Sequence, residues 1–312
     1  MGAINPEVDE APFTRRDFVL YVTTVLCWSA SWYALKVNSS FSVDPPVSTC
    51  WRFVLSAVLM FLYCIFSNRK LHFSGRAHVA FALLGIFLFS TNFILFYYAS
   101  TYLVSGLLAV VFSIASIVNL AIGVMRGDFA GPRRWFGAVI GVVGIILLYW
   151  PTLGMGVTGG LGLALCLGGT LSFCIGNQIS QSLKGKDIPV MSASAWGMAY
   201  GACWSAILAG IAGLPFVYDP AVEYTVSLLF LSIISTVLAF WAYLNLVRSI
   251  GAGRAAYATV MFPIFALLLS TAMEGYEWTL LAILGVALAL AGNLFVLRGV
   301  RQSGAKTHSP VV

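Results

Sequence analysis

Apolar residues in this chain come in runs longer than a soluble helix or strand requires, and polar residues gather between the runs. A bilayer-crossing helix needs about 20 mostly apolar residues. Ten stretches meet or approach that length: residues 18–37, 46–66, 77–98, 102–125, 134–150, 158–183, 189–213, 224–247, 253–273 and 278–297. Turn residues punctuate the breaks, as at Asp44-Pro45-Pro46, Gly131-Pro132, Pro151, Pro189 and Asp219-Pro220. The pattern predicts an all-α membrane protein of ten transmembrane helices, with connections too short for an extra domain. The first run is a full span preceded by Glu7, Asp9, Glu10, Arg15 and Arg16, so it is expected to be retained rather than cleaved as a signal.

Composition narrows the class. Of 312 residues, 60% are hydrophobic and 9% charged, and the mean hydropathy is +0.93, which excludes a soluble enzyme. The net charge of +6 would suit nucleic acid only if the basic residues formed one patch. They do not. Fifteen of the 17 lysines and arginines, all but Lys36 and Arg52, fall in alternate loops and the tails, while the opposite loops carry Asp44, Asp219, Glu223, Glu274 and Glu277. Cytoplasmic loops hold the excess of positive charge. Both termini are therefore expected to be cytoplasmic, with an even number of spans and no nucleic-acid partner.

The two halves of the chain resemble each other. Arg126-Gly127, Gly137 and Gly144 recur 148 positions later as Glu274-Gly275, Gly285 and Gly292. Phe112 and Ser113 match Phe262 and Pro263 at an offset of 150, and Leu26, Trp28 and Ser29 match Leu171, Phe173 and Cys174 at 145. Five helices per half is an odd number, so the second half must enter the membrane inverted. Inverted repeats are a device of carriers, because two similar halves of opposite orientation can exchange conformations around a central site. The expected organisation is a tail at 1–17, repeats at 18–150 and 151–297, and a tail at 298–312.

The stretch from Tyr243 through Arg254, Tyr257 and Phe262-Pro263 to Glu274-Gly275, followed by a glycine-punctuated last helix, resembles the EamA family of the drug/metabolite transporter superfamily. Span two, STCWRFVLSAVLM with its Arg52-Phe53, resembles the same family. The first half departs from it, with Ser113 in place of the proline and Arg126 in place of the glutamate. The resemblance implies a ten-helix carrier in a bacterial inner membrane, commonly an exporter of amino acids or other small metabolites. Related nucleotide-sugar carriers share the plan and supply the alternative reading.

Polar groups inside spans are costly and so carry the most information. Span one presents Trp28, Ser29, Trp32, Tyr33 and Lys36 on one helical face, and span six presents Cys174, Asn177, Gln178 and Gln181; the two faces are expected to meet. Asn92, Asn119, Tyr243, Asn245 and Tyr257 are further candidates, each alone better read as a helix-to-helix hydrogen bond and together as a wet cavity. The substrate-binding set is thus Trp28, Trp32, Tyr33, Lys36, Arg52, Asn92, Asn119, Asn177, Gln178, Tyr243 and Tyr257. Pro263 is the expected helix hinge. Lys36 can snorkel to the interface. Arg52 lies too deep and needs a partner, either Glu274 as a structural ion pair or an anionic group of the substrate.

No cofactor or metal is expected. The six cysteines lie in apolar runs without metal-ligand spacing, and Gly154-x-Gly156-x-x-Gly159 has no preceding strand and is set aside. No GxxxxGK[ST] sequence is present. His72, His78 and His308 lie in loops, the tail or the edge of a span, and no span interior holds Asp or Glu, which argues against an embedded enzyme. A channel would show rings of charge or filter loops. Asn38-Ser39-Ser40 reads as a glycosylation sequon. Gly137-x-x-x-Gly141, Gly197-x-x-x-Gly201 and Ala287-x-x-x-Ala291 read as packing seams within the bundle, with a homodimer seam as the alternative.

Overall fold

The computed structural model describes residues 13–127, 131–153, 157–183 and 188–306. Gly154, Gly156, Lys184, Lys186 and His308 lie outside the described residues. Among those described, the regular structure is all helical. Ten helices are labelled in chain order: α1 (Arg15–Asn38), α2 (Pro45–Phe66), α3 (Gly75–Tyr102), α4 (Ser105–Met125), α5 (Pro132–Leu153), α6 (Val157–Ser182), α7 (Val190–Ile211), α8 (Val222–Ile250), α9 (Ala258–Glu274) and α10 (Leu280–Lys306). A single helical turn, Ala252–Ala255, precedes α9.

Eight of these, all but α7 and α9, are long and apolar enough to cross a membrane. The polar dilution of α7 by Ser192, Ser194 and Ser205 lowers its hydropathy, and α9 is short at 17 residues because the chain turns at Tyr257 before it begins. Local chemistry sets the ends. Thr14 and Asp17 form a reciprocal capping box on α1, Thr14 Oγ1 accepting from the Asp17 amide at 3.2 Å while the Asp17 carboxylate takes the Thr14 amide at 2.9 Å. Gly275 stops α9 in the left-handed region, at φ 68°, where a side chain would strain the backbone.

Two helices contain wide π turns, α3 at Phe87–Thr91 and α8 at Phe230–Leu238. Such turns leave the ordinary hydrogen-bond ladder locally and often mark functional sites. α4 is broken at Ser113 and Ile114, between Phe112 and Ala115. The expected hinge residue Pro263 instead lies inside a continuous α9. The serine at the matching place in the first half therefore does not restore helical continuity.

Glycine seams draw the bundle together. α5 and α10 meet so closely that a Cβ on Gly144 would stand 2.6 Å from the Gly285 carbonyl, and one on Gly137 2.7 Å from that of Gly292. α3 and α7 are equally close, a Cβ on Gly85 falling 2.6 Å from the Gly197 carbonyl. Both glycine motifs of the sequence are thus used within the chain, while α10 contributes Gly285, Ala289 and Gly292 rather than Ala287 and Ala291. Further, α2 packs on α7, α6 on α3 and α4, and α1 on α8, α9 and α4.

Candidate functional site

α1 delivers Trp28 and Trp32 one turn apart on a single face, because i and i+4 side chains align along a helix. The Trp28 ring lies 5.1 Å from Tyr243 of α8 and 6.3 Å from Phe262 of α9. Trp32 is buried against Phe96 of α3 at 5.1 Å and Phe112 of α4 at 5.4 Å. Phe112, beside the break in α4, also meets Phe173 of α6 at 4.7 Å and Phe262 at 6.1 Å. Trp28, Phe93, Phe112, Phe173 and Tyr243 are only half-buried, although the helices that carry them pack on one another. Together these rings form an aromatic cluster between the first and second halves of the chain. Ser29 fixes α1 there, its Oγ donating to the Phe262 carbonyl at 2.9 Å.

Polar groups flank the aromatic cluster. Toward the C-terminal end of α1, Lys36 Nζ donates to the Ser100 carbonyl and, at 3.3 Å, to that of Leu103, capping α3. Glu274 accepts from the Ser105 amide at 3.1 Å on each carboxylate oxygen and from the Ser105 hydroxyl, capping α4. The expected Arg52–Glu274 pair is therefore not made. Arg52 faces α3 and α8 instead, with Nη2 on Thr236 Oγ1 at 3.2 Å and its guanidinium 4.2 Å from the Phe93 ring centre. The reason is packing, since α2 lies against α7 and α8 while the end of α9 lies against α4.

At the other end, Asn119 Oδ1 accepts from Gln178 Nε2 at 3.2 Å, and Gln178 Oε1 accepts from Arg126 Nη1 at 2.7 Å. These groups and Asn177 are half-buried or exposed. Tyr257 lines a separate hollow of about 420 Å³ with Phe13, Phe18, Tyr21, Ile250 and Arg254. Tyr33 is half-buried. Asn92 is buried within α3, just after the wide turn, with neither amide atom hydrogen-bonded to protein. The polar faces of α1 and α6 do not meet as expected. α4 stands between them, receiving Trp32 on one side and, on the other, Cys174 on the Ala115 carbonyl and Gln178 on Asn119.

Sequence reasoning missed a buried relay. Tyr97 donates to Asn38 Oδ1 at 3.1 Å, Asn38 Nδ2 donates to Ser227 Oγ at 3.0 Å, and Ser48 and Tyr224 share a 3.1 Å hydrogen bond. Asn38 is fully buried, so it is no glycosylation acceptor in this fold. An amide directly after the apolar run of span one was the available signal. Phe96, Phe112 and Thr236 gave none, being apolar or weakly polar residues in apolar runs.

The EamA-like transporter family model matches residues 17–150 and again residues 160–298. An uncharacterized inner membrane transporter, YedA, of Escherichia coli strain K12 is 25% identical over 281 residues, covering 88% of each chain. The uncharacterized transporter YoaV of Bacillus subtilis is 23% identical over 277 residues, 87% of this chain and 93% of that one. A solved crystal structure superposes with a TM-score of 0.62 at 16% identity, over 94% of this chain and 99% of that one, which shows a shared fold. The two family matches cover most of the sequence: the chain belongs to the EamA-like transporter family and is a multi-pass membrane transporter, not an enzyme.

Proposed function

We propose that this transporter is a secondary carrier of ten spans in two inverted five-helix repeats, which exports a small amino acid or related zwitterion or anion by alternating access. The carrying observation is the aromatic cluster, built from rings of both halves, several of them only half-buried. Flat apolar walls with a few polar groups suit an amphipathic organic solute better than a bare ion. Three features support the repeats. The family model matches twice, the wide turns of α3 and α8 fall at corresponding places in the two halves, and α5 packs on its positional mate α10 as α2 does on α7. The family resemblance supports export, and the name of the E. coli relative supports an inner-membrane setting.

The test is counterflow in liposomes, with amino acids as substrates and nucleotide sugars as competitors. Saturable exchange of an amino acid is expected, and Trp28→Ala should reduce it about tenfold or more while leaving the folded yield intact, since Trp28 is half-buried and joins the aromatic cluster. Exchange of nucleotide sugars alone would move the assignment to that class of solute, and exchange of nothing would defeat the reading. For orientation, a cysteine placed by Asp219→Cys should react with an impermeant reagent on the side opposite both termini. Reaction on the same side would refute the charge-based topology.

A further inference from the structure

Among the described residues, Arg52 is a buried cation without an acidic hydrogen-bond partner. It is 3% exposed; its Nη2 donates to Thr236 Oγ1, and the Tyr97 hydroxyl is its other polar neighbour. Nε and Nη1 meet no acceptor. Two acidic groups of the helical bundle are engaged elsewhere: Glu274 holds Ser105, and Asp17 holds Thr14 at the far end of α1. A guanidinium left unpaired at membrane depth is among the costliest groups a chain can bury.

Its surroundings are held in place. The Arg52 carbonyl accepts from Ser56 at 2.9 Å and from Ser232 at 3.2 Å, which pins α2 to α8 at this level. Thr236 gives its own proton to the Leu231 carbonyl at 2.8 Å, five residues back across the wide turn, so its oxygen is left to accept from Arg52. The Tyr97 hydroxyl stands beside the guanidinium, its proton directed to Asn38. Toward the aromatic cluster the cover is Phe93, half-buried, 4.2 Å from the guanidinium and 6.4 Å from Phe96, which in turn packs on Trp32. The Phe93 ring therefore lies between this donor and the rings of the cluster.

We infer that Arg52 is the specificity residue of the carrier and receives the carboxylate of the transported solute once Phe93 turns aside, with Thr236 holding the guanidinium in register. Lys36 is a poorer receiver, because its ammonium is engaged with two carbonyls. A planar fork with two free edges matches a carboxylate in bidentate fashion, which an ammonium does not. This inference rests on the carrier reading above.

The experiment compares amino acids with their own carboxamides, which differ only in the anionic group, by competition in counterflow and by thermal shift of the purified protein. Wild type should prefer the acid about tenfold or more. Arg52→Gln should bring the ratio close to one, and Arg52→Lys should recover part of it. Thr236→Val keeps the charge and loosens the fork, so it should lower the ratio several-fold; it decides the matter together with Arg52→Lys if Arg52→Gln does not fold. A wild-type protein that exchanges acids and carboxamides equally, or a ratio unchanged in the folded Arg52 and Thr236 variants, overturns the role of Arg52 and leaves the carrier reading standing. Absence of exchange for both series and for neutral solutes brings down the carrier reading itself.

Discussion

Gly144→Leu should remove nearly all of the folded protein. At the α5–α10 seam the atoms facing Gly144 are backbone, with the Gly285 carbonyl 2.6 Å from where a Cβ would lie and the Ala289 backbone close by. The reciprocal approach is as tight, a Cβ on Gly285 falling 2.6 Å from the Leu148 amide. Overpacking typically costs about 1–3 kcal/mol when neighbouring side chains can yield; here no flexible side-chain end is available, so the two helices must part along several turns. Between membrane helices that loss is not offset by hydrophobic association, because lipid is as apolar as the partner helix. The monodisperse fraction in detergent should fall below about a tenth of wild type, against a loss under about twofold for Gly160→Leu, where no atom lies within 4 Å. Equal yields would show that the seam does not hold the bundle.

Glu274→Ala should open the protein at the end where α1 finishes. The short link at Leu103 and Val104 between α3 and α4 is held by opposite charges that match the helix dipoles, Lys36 on the carbonyl end of α3 and Glu274 on the amide end of α4. Hydrogen bonds to charged groups contribute about 1.5–3 kcal/mol when buried. Partial exposure reduces this, and a shift of about 1 kcal/mol still changes a two-state population roughly fivefold. A cysteine placed by Val104→Cys should accordingly be alkylated about five times faster in the Glu274→Ala background. An unchanged rate would mean that the link is closed by packing alone.

Helix positions were legible because a long apolar run has few ways to fold in a bilayer: the run 46–66 is Pro45–Phe66, and 158–183 is Val157–Ser182. The glycine spacing was legible for a related reason, since a backbone contact tolerates no side chain on either helix, and Gly137 and Gly144 did meet the two matching glycines of the second half, with partners exchanged: Gly137 lies on Gly292 and Gly144 on Gly285. Side-chain partners were not. Which way Arg52 points depends on which helices flank α2, and nothing within the run states that α8 lies beside it and α9 does not. The same holds for the faces of α1 and α6, each polar in its own helix and each answered by α4. Phe112 organises the aromatic cluster through its position beside a helix break, and that break has no proline or glycine to announce it.

The α5–α10 seam also bears on how the chain is made. α5 is complete at Leu153, and α10 begins only at Leu280, so translation at about 5–20 residues per second separates the two by roughly 6–25 s. During that interval the glycine face of α5 has been inserted without the helix it fits, and a shallow backbone groove stands open to any other newly inserted span. Slowing the ribosome between residues 160 and 280 would lengthen that exposure. Misassembled and degraded chains should then increase with the length of the pause, whereas a pause of equal length placed after residue 306 should have no such effect.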